Sequence, residues 1–264
     1  FGRIESRKVV YCWRGGMRSK TTATVLSLMD IHVYRLNGGI RAYRKWVVDT
    51  LETYVLRPKV YVINGNTGSG KTALLLRLKE LRYPVLDLEG LAAHRGSIFG
   101  HIGLKAHNQK TFESLLLQDL LKWSESPYLL MEAESKRIGK TVMPEFLFHA
   151  KENGIQLFIE LPMEERVKHI LEDYRPQEQK EACIQAFQYI KKRIHTPIAA
   201  EIEKHLYADR FAEAVYLLLE HHYDPRYKNA IENFTGERIT FRCNNIDEAT
   251  EMMINQIAEL SNIL

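Results

Sequence analysis

Val60-Tyr61-Val62-Ile63-Asn64-Gly65-Asn66-Thr67-Gly68-Ser69-Gly70-Lys71-Thr72-Ala73-Leu74-Leu75-Leu76 is the stretch on which the reading of this chain turns. A short apolar run of β type enters Gly65-x-x-x-x-Gly70-Lys71-Thr72, and an apolar run of helical type leaves it. The glycines let the backbone fold back with its N–H groups pointing inward, and the helix that starts there adds its positive end. Lys71 can reach terminal phosphate oxygens, and Thr72 can offer its hydroxyl to a metal ion such as Mg²⁺. A glycine-rich turn can match this pattern by chance, but a strand before it and a helix after it argue against that. Residues Gly65, Asn66, Thr67, Gly68, Ser69, Gly70, Lys71 and Thr72 are therefore read as a cradle for a phosphorylated ligand.

Working outward, the chain from Lys59 onward alternates strand and helix signals, as an α/β P-loop domain with a parallel sheet does. Tyr83 to Leu88, Tyr128 to Glu134 and Ile155 to Leu161 are further candidate strands. Ligands of such sheets bind beyond the carboxyl ends of the strands, where Asp87, Glu132 and Glu134 fall. Glu132 stands where a Walker B acid is expected. If its strand runs on, Glu134 projects to the same side, and either acid could hold a metal-bound water or act as a base. A strand-end acid that caps the next helix would look the same. From Met163 to about Tyr223 the sequence is mainly helical, with breaks at Arg175-Pro176 and Thr196-Pro197. Phe211, Ala214, Val215 and Leu218 form a stripe at helical spacing and are read as core. Ile239 to Cys243 is a late strand, and Ile246 to Leu260 a closing helix.

Upstream lies a second compact loop, Tyr11-Cys12-Trp13-Arg14-Gly15-Gly16-Met17-Arg18-Ser19. It follows a short strand (Lys8 to Tyr11) and precedes a helix (Ser19 to Met29). A second strand (His32 to Leu36) and a helix from Ile40 to Leu51 or beyond complete this segment. Five residues between Cys12 and Arg18, two of them glycine, wrap backbone N–H groups around the sulfur above a helix N-terminus. Both effects favour thiolate. Arg14 and Arg18 could hold an anionic substrate. A small buried cysteine at a strand end is the plainer alternative. Loops of this C-x5-R form serve sulfur or selenium carriers of the rhodanese type and cysteine phosphatases alike, and spacing does not separate the two. The residue before this cysteine is Tyr11 rather than His. Cys183 and Cys243 lack such surroundings and are read as structural.

Composition bounds the remaining possibilities. The chain has 264 residues, 45% of them hydrophobic, enough for one large domain or two small ones. No apolar stretch reaches the roughly twenty residues that cross a bilayer, and no signal peptide is legible. Three cysteines, one with reactive surroundings, fit a reducing compartment, so a cytoplasmic location and no membrane partner are expected. Charge is uneven. Residues 1–59 carry 12 of the 37 Lys and Arg but 4 of the 33 Asp and Glu, leaving 25 against 29 in the rest. Arg41, Arg44 and Lys45 mixed with Tyr43 and Trp46 suit a polyanion with exposed bases such as RNA. A solvated helix face would read alike.

Taken in order, these stretches resemble one family. They are the loops at Cys12 and Gly65, Asn37-Gly38-Gly39-Ile40-Arg41-Ala42-Tyr43-Arg44, Leu86-Asp87-Leu88-Glu89-Gly90-Leu91-Ala92-Ala93-His94-Arg95-Gly96-Ser97-Ile98-Phe99-Gly100, Glu132-Ala133-Glu134-Ser135-Lys136-Arg137-Ile138-Gly139 and Tyr223-Asp224-Pro225-Arg226-Tyr227. The set resembles bacterial tRNA 2-selenouridine synthases, a rhodanese domain fused to a P-loop domain. The resemblance covers most of the chain from Val9 to Tyr227. It implies an α/β fold, with the C-terminal part of a rhodanese-like domain over 1–57. A P-loop NTPase-like domain with a helical C-terminal part would follow over 58–264. Eleven residues cannot supply the strands such a domain has before its cysteine, so a fragment is expected, or a half-domain completed by another chain.

The resemblance further implies a transferase acting on tRNA wobble 2-thiouridine. Its sulfur would be alkylated by geranyl diphosphate and then replaced by selenium from selenophosphate. Cys12 would handle selenium, and a selenophosphate-supplying enzyme would be a partner. Asp87, His94, Arg95, Ser97, Glu132, Glu134 and Arg137 would line the substrate pocket, although loop charges often only cap helices or pair locally. Three competing functions are a P-loop kinase or NTPase, a sulfur carrier or phosphatase built on Cys12, and an RNA-binding adaptor without catalysis.

Overall fold

The computed structural model describes residues 3, 5–97, 99–227 and 236–262, apart from the side chains of 261 and 262. The chain forms two compact units, Phe1–Tyr54 and Val55–Leu264. No described helix is long and apolar enough to cross a membrane.

In the first unit, β1 (Val9–Val10) and β2 (Tyr34–Arg35) pair in parallel, and α1 (Met17–Leu28) connects them. Two residue pairs are in register before the chains turn away, so both strands are shorter than their apolar runs. The helix α2 (Gly39–Glu52) follows. Its start explains the Asn37-Gly38-Gly39 signal. Ile40 N–H donates to Cys12 O at 3.0 Å and Arg41 N–H to Trp13 O at 3.2 Å. Gly39 has φ +63°, and a Cβ there would lie 2.1 Å from Cys12 O. Only glycine lets α2 approach the cysteine loop this closely.

The second unit is built on a five-stranded sheet in the order β4-β5-β3-β8-β9. The strands are β3 (Lys59–Gly65), β4 (Val85–Leu86), β5 (Tyr128–Glu132), β8 (Ile155–Glu160) and β9 (Arg238–Arg242). Every pairing is parallel. Strands covered on both faces read as continuous apolar runs, and the fully buried Tyr61, Val62 and Ile63 of the central β3 are such a run. The helix α3 (Lys71–Glu80) packs Leu74, Leu75 and Leu78 with Ala249, Met253 and Ile257 of the closing helix α11 (Ile246–Asn262) on one face. On the sheet also pack α5 (Gln109–Lys122), against β4, and α6 (Glu145–Asn153), against β3. A small antiparallel hairpin, β6 (Arg137–Ile138) with β7 (Thr141–Val142), turns at Gly139 and was not legible in the sequence.

A helical layer of α7 (Met163–Tyr174), α8 (Lys180–Lys191), α9 (Thr196–Tyr207) and α10 (Phe211–Leu218) has its own core around Phe187, Ile190, Ile202 and Phe211. The helical stretch is interrupted between α8 and α9, and Thr196-Pro197 opens the new helix, because a proline in the first turn has no N–H to lose there. The strand β5 stops at Glu132, so Glu134 is not placed by strand alternation.

Candidate functional site

The phosphate-type loop leaves the carboxyl end of the central strand β3 and ends at α3. Gly70, the residue before α3, is left-handed at φ +73°, and α3 has neither a side-chain cap nor an acid in its first turn. Two other helices of this unit do carry a side-chain cap. Asp87 accepts from Gly90 N–H at the start of α4 (Leu88–Ala92), and Asn108 accepts from Thr111 N–H at the start of α5. Such a cap is worth about 1 kcal/mol. Leaving α3 uncapped keeps its N–H groups and positive end for an external anion. Lys71 Nζ lies 2.8 Å from Gly65 O and 3.2 Å from Asn66 O, held against the loop backbone.

The loop is braced from α7. Arg166 Nε donates to Thr67 O at 2.9 Å, while its guanidinium fork grips both oxygens of Asp224 at 2.9 and 2.6 Å. The ring of His169 contacts Gly68 O through Nδ1 at 3.1 Å. Gly68, at φ +79°, admits this approach, since a Cβ would fall 2.7 Å from Arg166 O. Tyr227 closes the other flank, its hydroxyl 3.5 Å from Thr67 Oγ1 and its ring centroid 6.0 Å from Lys71 Nζ. Sequence reasoning assigned no role to Arg166, His169, Asp224 or Tyr227; the only available signal was the Tyr223–Tyr227 motif.

At the strand ends three acids converge. Ligand oxygens of Glu89, Glu132 and Glu134 lie within 4.8 Å of one another, the one such group among the described residues. Thr72 Oγ1 donates to Glu89 Oε2 at 3.0 Å and lies 3.4 Å from Glu132 Oε2. Glu132 Oε1 accepts from Glu89 N–H at 2.8 Å. Burial pushes Glu89 up to about 8, and the Glu134 charge adds to it. Burial likewise raises fully buried Glu132 well above the carboxylate range, with repulsion from Glu89 next. For Glu134, burial raises the pKa and Lys71 opposes it. Glu89 was missed as a site residue, although it stands in the Leu86–Gly100 motif two residues after Asp87.

The pocket candidates divide. Asp87 is occupied structurally, as the α4 cap and with Lys79 Nζ at 3.7 Å from its Oδ2. His94 packs against Gly100 and Gly139, and burial lowers its pKa, so its ring is neutral at pH 7. Arg95 lies over the ring of Tyr174 at 5.0 Å and donates to Ile102 O. Ser97 Oγ is 2.9 Å from the same tyrosine's hydroxyl. Arg137 is exposed on β6, with no side-chain ion pair among the described residues.

In the first unit, Cys12 sits at an open pocket of about 350 Å³ lined also by Arg14 and Arg18, both exposed. Its Sγ is 3.3 Å from Ser19 Oγ, which also bonds Gly16 O at 3.1 Å. The Ser19 hydroxyl, then the Ser19 N–H, lower the thiol from 9.0 to about 7. As in α3, the helix below the loop has no side-chain cap and no acid in its first turn. Burial raises Cys183 to about 11 and also raises Cys243.

Residues 58–259 match the model of the tRNA 2-selenouridine synthase AAA domain. The chain belongs to this family. A Nitrosomonas europaea tRNA 2-selenouridine synthase is 30% identical over 257 residues, 95% of this chain and 66% of that protein. One from Shewanella piezotolerans is 33% identical, over 88% of this chain and 70% of that protein. One from Hydrogenovibrio crunogenus is 37% identical, over 66% and 49% respectively. The chain thus spans half to about two thirds of the family members it matches.

Proposed function

We propose that this chain converts 2-thiouridine at the tRNA wobble position to 2-selenouridine through an S-geranyl intermediate, its two loops serving different steps. The observation that carries the reading is family membership over 58–259, joined in one chain to a cysteine loop whose thiol titrates at about 7. In the first step the 2-thio sulfur attacks the first carbon of geranyl diphosphate. The carbon–oxygen bond breaks and its electron pair leaves on pyrophosphate. Loop N–H groups and Lys71 are suited to receive that charge, since donors aimed at developing charge lower a barrier most. In the second, the selenium of selenophosphate adds at C2, the C2–S bond breaks and geranylthiol departs, a far better leaving group than a bare thiocarbonyl sulfur. Water then cleaves the Se–P bond, releasing phosphate and leaving the selenium on C2. Cys12, with Arg14 and Arg18 beside it, is assigned to this step. It corresponds to a rhodanese-type cysteine, in the C-terminal part of such a domain.

Desolvated acids that repel one another, beside the Thr72 hydroxyl, are a donor set that fits a divalent cation such as Mg²⁺. Thr72, Glu89, Glu132 and Glu134 would hold it, and it would neutralise pyrophosphate charge. RNA recognition is assigned to the basic first unit, where Trp46 is exposed and stacks near Tyr43 at 5.8 Å.

The test is mass spectrometry of nucleosides from 2-thiouridine tRNA incubated with the protein, geranyl diphosphate and selenophosphate. S-geranyl-2-thiouridine and 2-selenouridine should both form. The approach of Thr72 to Glu132 would equally suit a nucleotide–metal complex. Brisk ATP turnover, independent of tRNA and lost in Lys71→Ala, would replace this reading with a kinase or NTPase.

A further inference from the structure

Between Glu181 and Glu201 the chain holds no Asp or Glu, yet it carries Lys191, Lys192 and Arg193. Lys191 pairs with Glu203 at 2.7 Å and so serves the fold. Lys192 and Arg193 are exposed and meet no acid among the described residues. Tyr189 stands three and four positions before them, which brings its ring beside both as α8 ends. That ring is 74% exposed.

A second segment brings its own cation. The short π-helix Leu219–Tyr223 runs on into Asp224 and Arg226. Both acids of this segment are taken, Glu220 by His221 at 3.4 Å and Asp224 by Arg166. Arg226 is exposed and meets no acid among the described residues. Its guanidinium donates instead to Nε2 of His222, a buried ring whose Nδ1 has no partner among the described residues. Burial, then the charge of Arg226, then that of Arg193 lower this imidazole to about 4. The two arginines, remote in sequence, therefore lie close enough to act on one ring.

Cations gathered at a buried neutral ring repel one another, and no carboxylate offsets them. An external anion would. A free phosphate would satisfy the arginines but make no use of Tyr189. An RNA strand offers phosphates in a row and bases that stack on an exposed ring. Position favours the same partner. Tyr227, the next residue after Arg226, flanks Thr67 and Lys71, and Asp224 holds the arginine that grips the Thr67 carbonyl. RNA held at Arg226 is thus one residue from the wall of the phosphate-type loop.

We infer that Tyr189, Lys192, Arg193 and Arg226 form an RNA-contact surface on the second unit, the cations on backbone phosphates and the tyrosine ring on an unpaired base. The inference rests on the tRNA reading above and adds a binding face that the basic first unit does not contain.

The test is binding of a fluorescently labelled 2-thiouridine tRNA to the whole chain, followed by anisotropy from about 50 to about 200 mM salt. Calorimetric binding of pyrophosphate runs beside it. Arg193→Ala and Arg226→Ala should each weaken tRNA binding about fivefold and reduce the slope of log affinity against log salt by about 1. Lys192→Ala with Arg193→Ala should reduce that slope by about 2. Tyr189→Ala should weaken tRNA about tenfold with the slope unchanged, since stacking releases no counterion. Pyrophosphate affinity should match the wild type in the variants of Tyr189, Lys192 and Arg193, whose exposed side chains separate a lost contact from a lost fold. Affinity and slope equal to wild type in Arg193→Ala and in the double variant would overturn the surface while leaving tRNA as the substrate. So would equal losses of tRNA and pyrophosphate in those two. A wild-type chain that binds no tRNA would sink the tRNA reading itself, and this surface with it.

Discussion

The loop at Cys12 and the loop at Gly65 are the same local device in different settings. Each leaves a parallel strand, turns on glycines and enters a helix that the sequence declines to cap. In the first unit the anion is one of the chain's own atoms. The Cys12 thiol is open to solvent, and one hydroxyl and a few N–H groups bring it down to about 7. In the second unit the anion must come from outside, and the machinery around it is desolvated. A fully buried acid lies beneath the loop, with an arginine–carboxylate fork behind it. Hydrogen bonds to the charged form dominate in one setting and loss of water in the other, which is why one set of groups is lowered and the other raised.

The comparison breaks most sharply at the level of chemistry. Lys71→Ala should cut formation of S-geranyl-2-thiouridine by roughly 100-fold or more, the scale for removing a donor from a developing anion. Cys12→Ser should leave that product intact and abolish 2-selenouridine. If nucleoside mass spectrometry finds both variants stopped at one step, the two loops do not divide the work. Next comes Arg166→Ala, which leaves Asp224 without its partner and the loop carbonyl of Thr67 without its donor. About 3 kcal/mol of stability should be lost, as for breaking other buried pairs. Urea unfolding of the second unit reads it, and a loss near zero would mean that the fork does not brace the loop.

A subtler probe uses pH. Glu89 is raised from 4.5 to about 8, so the folded protein keeps a proton that the unfolded chain releases. Its contribution is full below about 4.5 and disappears as pH rises through about 8. Glu89→Gln should flatten that decline in unfolding free energy; an unchanged slope would remove Glu89 from the acid cluster. The smallest expected effect is in the first unit. Alkylation of Cys12 by iodoacetamide should follow a midpoint near 7, and Ser19→Ala should move it toward 9.0. A midpoint that stays put would shift the credit from the Ser19 hydroxyl to the loop backbone.

What the sequence determined by itself is whatever lies close along the chain. The cradle from Gly65 to Thr72 and the loop from Cys12 to Arg18 are contiguous, so residue type and order were enough to state their chemistry. The parallel α/β character of the second unit followed in the same way, from apolar runs alternating with helical ones. Tertiary structure decided everything that depends on strand order and layer packing. Glu89 meets Glu132 because β4 lies beside β5 in the sheet. Glu134 joins them although its strand has already ended. Arg166 reaches Thr67 across 99 positions and Asp224 across 58. Arg193 and Arg226 were legible as charges, but not as neighbours at one buried histidine. Composition counts cations; only packing decides which of them are left without an acid.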